Sequence, residues 1–329
     1  MKRLLGLTLF ALAALGLMAV ATKKPTYNIY MIGDSTMADK DLSKGTPERG
    51  WGMVLGGFFT SAVRIENHSV NGRSTKSFID EGRWQVVLDR LQPGDYVIIQ
   101  FGHNDEKDDP KRHTDVGGSF DDNLRRFVRE TRSKGAIPVL MNAVERRSFY
   151  DNKIADDGKN IDDEKLRDTK YAEERVNTDR LVPSHGEYAE APRRVAQEQN
   201  VIFIDATAIS NRMENAWGIE GSRTLHMWLK PGECPSVPDG RQDNTHYNVL
   251  GAHVIASLLV DAIGDAIPEL KPFVRHYDYI VSAEGRGNFM TLQEAVDAVP
   301  SGKKTDIYVL DGSWSKPVLK GKKVRLIYK

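Results

Sequence analysis

The chain has 329 residues, 40% of them hydrophobic, and its 46 basic side chains balance 46 acidic ones. It is longer than one average domain and carries enough apolar sequence for a sizeable core. A formal net charge of +0 gives no support to a nucleic-acid partner. With Cys234 the only cysteine, an internal disulfide is excluded, and its Pro-rich loop favours a small filler over a reactive thiol.

Met1-Lys2-Arg3 opens onto an apolar run from Leu4 to Val20, closed by the small-residue pattern Ala19-Val20-Ala21. That is the form of a secretory signal over residues 1–21, removed on export. The alternative is a retained membrane anchor, but about 17 apolar residues lie at the short limit for spanning. The expectation is an exported protein, periplasmic or extracellular, with no stable membrane anchor.

Residues 27–32 form an apolar run that predicts a strand, followed by Gly33-Asp34-Ser35. Apolar positions at Met53, Val54, Phe58 and Phe59 suit a short helix over 51–59. Residues 64–70 alternate like a strand and end at the loop Asn71-Gly72-Arg73-Ser74. A helix over 84–91 is broken by Pro93-Gly94-Asp95. The near-continuous apolar run 96–101 then reads as a parallel strand covered on both faces, ending at Gly102-His103-Asn104-Asp105. Further on come a helix over 120–132, a strand over 137–141, the end of a helix at 193–199, a strand over 201–204 and an apolar helix over 249–263. Between 145 and 183 the pattern lapses into a charged segment, read as a solvated excursion with a lid as the alternative.

Strands alternating with helices predict an α/β fold with a parallel sheet in three layers. In such sheets ligands bind beyond the carboxyl ends of the strands. Gly33-Asp34-Ser35, the Gly72 loop and Gly102-His103-Asn104-Asp105 each follow one of the first three strands. Near Pro272 the pattern changes: short strands over 279–281, 306–310 and 323–328 enclose a helix over 291–299. The predicted organisation is a signal at 1–21, a catalytic domain at 22–272 and a small segment at 273–329.

Acyl transfer by a serine requires a nucleophile, a base, a group that orients the base, and donors for the oxyanion. Ser35 supplies the hydroxyl. In Asp243-Asn244-Thr245-His246 a turn brings the carboxylate beside the imidazole, where it fixes the tautomer and stabilises the imidazolium. The Gly72 and Ser35 N–H groups and the Asn104 amide are candidate oxyanion donors. Each has a plainer reading: Asp243 as a helix cap, Gly72 as a turn glycine, Asn104 as a loop cap. The coincidence of Ser35, Gly72 and Asn104 at strand ends favours the catalytic one.

These blocks, in this order, resemble the four signature blocks of the SGNH (GDSL) hydrolases. The resemblance implies a flavodoxin-like three-layer fold, no cofactor and no metal. It places Ser35, Asp243 and His246 as the catalytic triad, and Ser35, Gly72 and Asn104 in the oxyanion hole. The segments 77–84, 100–107 and His185-Gly186-Glu187-Tyr188 are similar to bacterial rhamnogalacturonan acetylesterases. That likeness implies an esterase for acetylated pectic polysaccharide, with Arg73, His103 and His185 as candidate substrate contacts. The acidic stretch around 154–170 is longer than the family's usual connection. Residues 279–289 and 292–300 resemble the opening of pectin methylesterases, which implies the first part of a β-helix without that family's catalytic groups.

Arg73, Lys76, Arg83, Lys107, Arg112, Arg146 and Arg147 lie near the strand ends, as partners for sugar carboxylates or as a solvated rim. Trp51 and Trp84 read as core residues rather than sugar platforms. The alternatives are the same nucleophile acting on acetylated xylan or short-chain lipid esters, a metal-dependent hydrolase using His103, Asp105, Asp243 and His246, and a non-enzymatic glycan binder.

Overall fold

The computed structural model describes residues 27–151 and 174–329. The expected signal at 1–21 and the acidic stretch around 154–170 lie outside them.

β1 (Tyr27–Gly33), β2 (Val63–Asn67), β3 (Tyr96–Gln100), β4 (Ile137–Met141) and β5 (Ile202–Ile204) form one sheet in the order β2-β1-β3-β4-β5. Every pairing in it is parallel. Because successive strand side chains point to opposite faces, each strand feeds two apolar layers. Ile29, Met31, Tyr96, Ile98, Val139 and Met141 pack on one side, with α1 (Trp51–Leu55) and α7 (Val249–Ala266) over them. Tyr30, Ile32, Val97, Ile99 and Leu140 pack on the other, under α2 (Thr75–Asp80), α3 (Arg83–Leu88), α4 (Ser119–Ser133) and α5 (Glu187–Gln199). This is the three-layer α/β architecture expected, with its strand order reversing between β1 and β3. In open α/β sheets such a switch point is where ligands bind, beyond the carboxyl ends of the strands.

The first helix is shorter than its pattern suggested: α1 ends at Leu55, and Gly56–Phe58 tightens into a single 3-10 turn. Two helices, and the strands His226–Leu229 and Arg241–Tyr247, were not read from the sequence. The helix α2 is short and starts on a Ser74–Ser77 capping box, hidden in a segment that scans as loop. The helix α6 (Ala206–Arg223) has weak amphipathicity and a kink at Gly218, which blur its period. Trp51 and Trp84 are fully buried, as expected, and Trp51 Nε1 donates to Gln100 Oε1 at 2.8 Å.

The chain then forms a two-stranded antiparallel ribbon, β6 (His226–Leu229) with β7 (Arg241–Tyr247). The last part is a three-stranded parallel sheet of β8 (Tyr279–Val281), β9 (Lys304–Val309) and β10 (Lys323–Tyr328), with α8 (Leu292–Ala298). Its strands also alternate. Val281, Ile307 and Val309 pack with α8, whereas Ile280, Tyr308 and Leu310 join the apolar layer under α1 and α7. Arg49 Nε donates to the Gly285 carbonyl at 2.8 Å across the same seam.

Gly33 closes β1 where the backbone of β3 comes nearest: a Cβ there would lie 2.6 Å from the Gln100 carbonyl. Backbone in a paired strand cannot retreat cheaply. Gly33→Ala is therefore expected to cost about 1–3 kcal/mol of stability, read as a lower denaturation midpoint.

Candidate active site

Ser35 leaves β1 into a turn that its neighbours hold from both sides. The buried Asp34 carboxylate accepts from the Thr36 N–H at 2.9 Å and the Thr36 hydroxyl at 2.8 Å. Gln100 Nε2 donates to the same hydroxyl at 3.0 Å, and Trp51 fixes Gln100 from behind. Lys40 Nζ donates to the Ser35 carbonyl at 2.6 Å and to Asn71 Oδ1 at 2.8 Å, binding the Asn71-Gly72 loop to the serine turn. Gly72 has φ +76°, the left-handed region that favours glycine, and nothing lies within 4 Å of where its Cβ would be. Asn104 Nδ2 donates to the Arg73 carbonyl at 3.1 Å. The loops after β1, β2 and β3 are thus laced together.

His246 arrives from the other end of the sequence through an irregularity in the β6–β7 ribbon. His226 pairs with Tyr247 while Met227 pairs with Asp243, so Asn244, Thr245 and His246 bulge out of register. The bulge turns back on Asp243, whose Oδ1 accepts from the Thr245 N–H at 2.8 Å and the His246 N–H at 3.0 Å. Asp243 Oδ2 faces His246 Nδ1 at 2.8 Å, and His246 Nε2 faces Ser35 Oγ at 2.8 Å. Asn248 caps α7 by accepting from the Gly251 N–H at 3.1 Å, so the helix start anchors the loop that carries the histidine.

Asp243 is 2% exposed. Burial opposes its ionisation, but His246, Arg241 and the Thr245 N–H outweigh it and hold the carboxyl well below the usual range. Burial likewise opposes ionisation of Glu48, and Lys40, His246 and Arg241 bring it down to about 2. Asp105 goes the other way. Burial pushes its carboxyl up to about 7, although it accepts from the Thr75 N–H at 3.0 Å and the Thr114 hydroxyl at 2.8 Å.

The structure brings Ser35, Asp243 and His246 into one hydrogen-bonded line and sets the Gly72 and Asn104 loops beside it. The other sequence candidates sit differently. Arg73 pairs with Glu81 at 3.0 Å, and its carbonyl rather than its guanidinium meets Asn104. His103 and His185 are 3% and 2% exposed and pack edge to face, ring centroids 4.4 Å apart. His185 bridges Glu106 Oε2 at 3.1 Å and the Val144 carbonyl at 3.0 Å. Neither ring nitrogen of His103 has a hydrogen-bond partner among the described residues, and burial, with His185 and Arg146 beside it, keeps the ring neutral. Arg147, placed in the basic rim by its position in sequence, is fully buried and ion-paired with Glu174.

Among the described residues, donor atoms of His103, Glu106 and His185 converge within 4.8 Å of one another. Arg146 already pairs with Glu106, so a metal cation there would meet a guanidinium on its own carboxylate ligand. Charge makes the cluster a poor metal cage. Sequence reasoning missed Lys40, Glu48 and Arg241, the charged groups behind Asp243. The only signal was that Arg241 stands two residues before it.

A hydroxyl, an imidazole and a carboxylate joined in this order are the arrangement of serine hydrolases. The chain belongs to the GDSL-like Lipase/Acylhydrolase family, whose profile matches residues 31–254. It is 35% identical over 264 residues to the rhamnogalacturonan acetylesterase RhgT of Bacillus subtilis (strain 168), an alignment covering 80% of this chain and 98% of that one. A second protein of the same organism, the probable rhamnogalacturonan acetylesterase YesY, is 29% identical over 72% of this chain and 92% of its own length. The crystal structure of Bacillus subtilis YxiM superposes with a TM-score of 0.55 at 22% identity, covering 73% of this chain and 56% of that one, a likeness of fold.

The raised carboxyl of Asp105 has a consequence for stability. Between the unfolded carboxyl value and about 7, the folded state holds a proton that the unfolded chain gives up. Its contribution to stability is therefore present at low pH and lost as pH rises through about 7. Melting temperatures measured across that window should show a smaller fall with pH in Asp105→Asn than in the parent.

Proposed function

We propose that this protein is a serine esterase that removes O-acetyl groups from acetylated pectic polysaccharide, with rhamnogalacturonan as its substrate class. The observation that carries the reading is the line from Ser35 Oγ to His246 Nε2 and from His246 Nδ1 to Asp243 Oδ2, each step 2.8 Å. The identity to RhgT over nearly that protein's whole length supports the substrate class.

Ser35 Oγ attacks the acetyl carbonyl as His246 Nε2 takes its proton, while Asp243 holds the ring and balances the imidazolium. The Ser35 and Gly72 N–H groups and the Asn104 amide receive the oxyanion. The tetrahedral species collapses to an acetyl-enzyme as His246 protonates the departing sugar oxygen. Water, activated by the same imidazole, then releases acetate and restores Ser35. None of these steps calls on a metal or a cofactor.

Export through the segment at 1–21 suits an enzyme whose polymeric substrate lies outside the cell. The part from 273 onward, with its likeness to the opening of pectin methylesterases, serves as an extension packed against the catalytic region. It is the region at 22–272 that carries the catalysis.

Ser35→Ala is expected to cut acetate release from acetylated rhamnogalacturonan by about 10⁴-fold or more while leaving the melting temperature near that of the parent. Unchanged release would remove Ser35 from the mechanism. A panel of acetylated rhamnogalacturonan, homogalacturonan and xylan should show the highest kcat/KM on the first. Preference for xylan would overturn the substrate assignment and leave the esterase chemistry standing.

A further inference from the structure

Asp243 does not serve His246 alone. The Oδ2 atom that faces the imidazole also accepts from Arg241 Nη2, and that same nitrogen lies 3.5 Å from His246 Nδ1. The other end of the guanidinium donates from Nη1 to Glu48 Oε2 at 2.7 Å. Glu48 Oε1 in turn pairs with Lys40 Nζ at 2.8 Å, and Lys40 returns to the Ser35 carbonyl at 2.6 Å. The contacts form a closed circuit that begins at the Ser35 hydroxyl and ends at the Ser35 backbone. Its charges alternate: Asp243 negative, Arg241 positive, Glu48 negative, Lys40 positive.

These side chains are sheltered, with relative exposures of 1% for Asp243, 19% for Arg241, 13% for Glu48 and 4% for Lys40. Water screens them weakly, so each charge is felt at the ring. A guanidinium sharing the imidazole's carboxylate weakens the hold of Asp243 on an imidazolium. Glu48 draws on the opposite end of that guanidinium and limits the effect. From other elements, Asp34, Glu48 and His103 also act electrostatically on His246.

We propose that Arg241 and Glu48 are positioning residues that set the basicity of the His246–Asp243 couple and hold it in register with Ser35. The proposal rests on the catalytic reading above, since it assigns the acid limb of the rate profile to protonation of His246. It predicts two opposite displacements. Removing the Arg241 charge leaves Asp243 wholly to the imidazolium, favours the protonated and inactive ring, and moves the acid limb to higher pH. Removing the Glu48 charge leaves Arg241 and Lys40 uncompensated, disfavours the imidazolium, and moves the limb to lower pH.

The test is the pH dependence of kcat/KM for hydrolysis of an aryl acetate by the full chain and its variants. Arg241→Gln is expected to raise the midpoint of the acid limb by about one unit, and Glu48→Gln to lower it by a comparable amount. Arg241→Lys keeps the cation and should hold the midpoint near that of the parent, so a shift common to both Arg241 variants would indicate lost shape rather than lost charge. Should Arg241→Gln fail to fold, the direction of the Glu48→Gln shift decides alone. Midpoints that stay put, or move the same way in Arg241→Gln and Glu48→Gln, would overturn the proposal. Activity surviving in Ser35→Ala would instead overturn the catalytic reading beneath it, so the two failures are distinguishable.

Discussion

The contact between Ser35 Oγ and His246 Nε2 joins groups 211 residues apart, and much of the fold bears on its 2.8 Å length. One end is set by the sheet: β1 is an inner strand between β2 and β3, ends at the switch point, and is locked at Gly33 against the backbone of β3. The other end is set by a bulge in a two-stranded ribbon and by the cap of α7, whose apolar face is buried against the sheet. The buried layer between them transmits position because interiors are close-packed and cannot shift one element without moving its neighbours.

Around this contact the protein distributes charge rather than excluding it. Asp34 and Asp105 are buried carboxyls whose burial raises them, while Asp243 and Glu48 are held ionised by cations and donors at hydrogen-bond distance. The difference is one of partners, since desolvation acts on all of them alike. Asp34 and Asp105 have hydroxyl and amide donors, which suit structural turns; Asp243 has a guanidinium and an imidazole, which suit a group meant to stay negative.

The apolar runs that became β1, β3 and β4 were legible because a strand covered on both faces needs continuous apolar sequence. The helix α4 was legible because its buried residues recur at helical spacing: Phe120, Leu124, Phe127 and Val128. The helices α2 and α6 were not, being respectively short and kinked. Of the site, the four blocks could be named because three place distinctive residue sets at strand ends and the fourth sets Asp243 three residues before His246. Lys40, Glu48 and Arg241 could not, because a charged side chain in sequence looks the same whether it faces water or a buried partner. Arg147 shows the converse: it scans as a rim cation, yet it is buried against Glu174.

By itself the sequence determined the α/β layering, the strand ends at which polar groups gather and the family to which those groups belong. These follow from local periodicity and short motifs, which need no knowledge of distant contacts. Only the tertiary structure decided which groups meet. It brought the Asp243–His246 bulge to Ser35, turned Arg73 and Arg147 toward carboxylates of the protein itself, and closed the circuit through Lys40, Glu48 and Arg241. Pairing of that kind depends on chain topology and on the burial that makes each charge strong, and neither is written in any single stretch of residues.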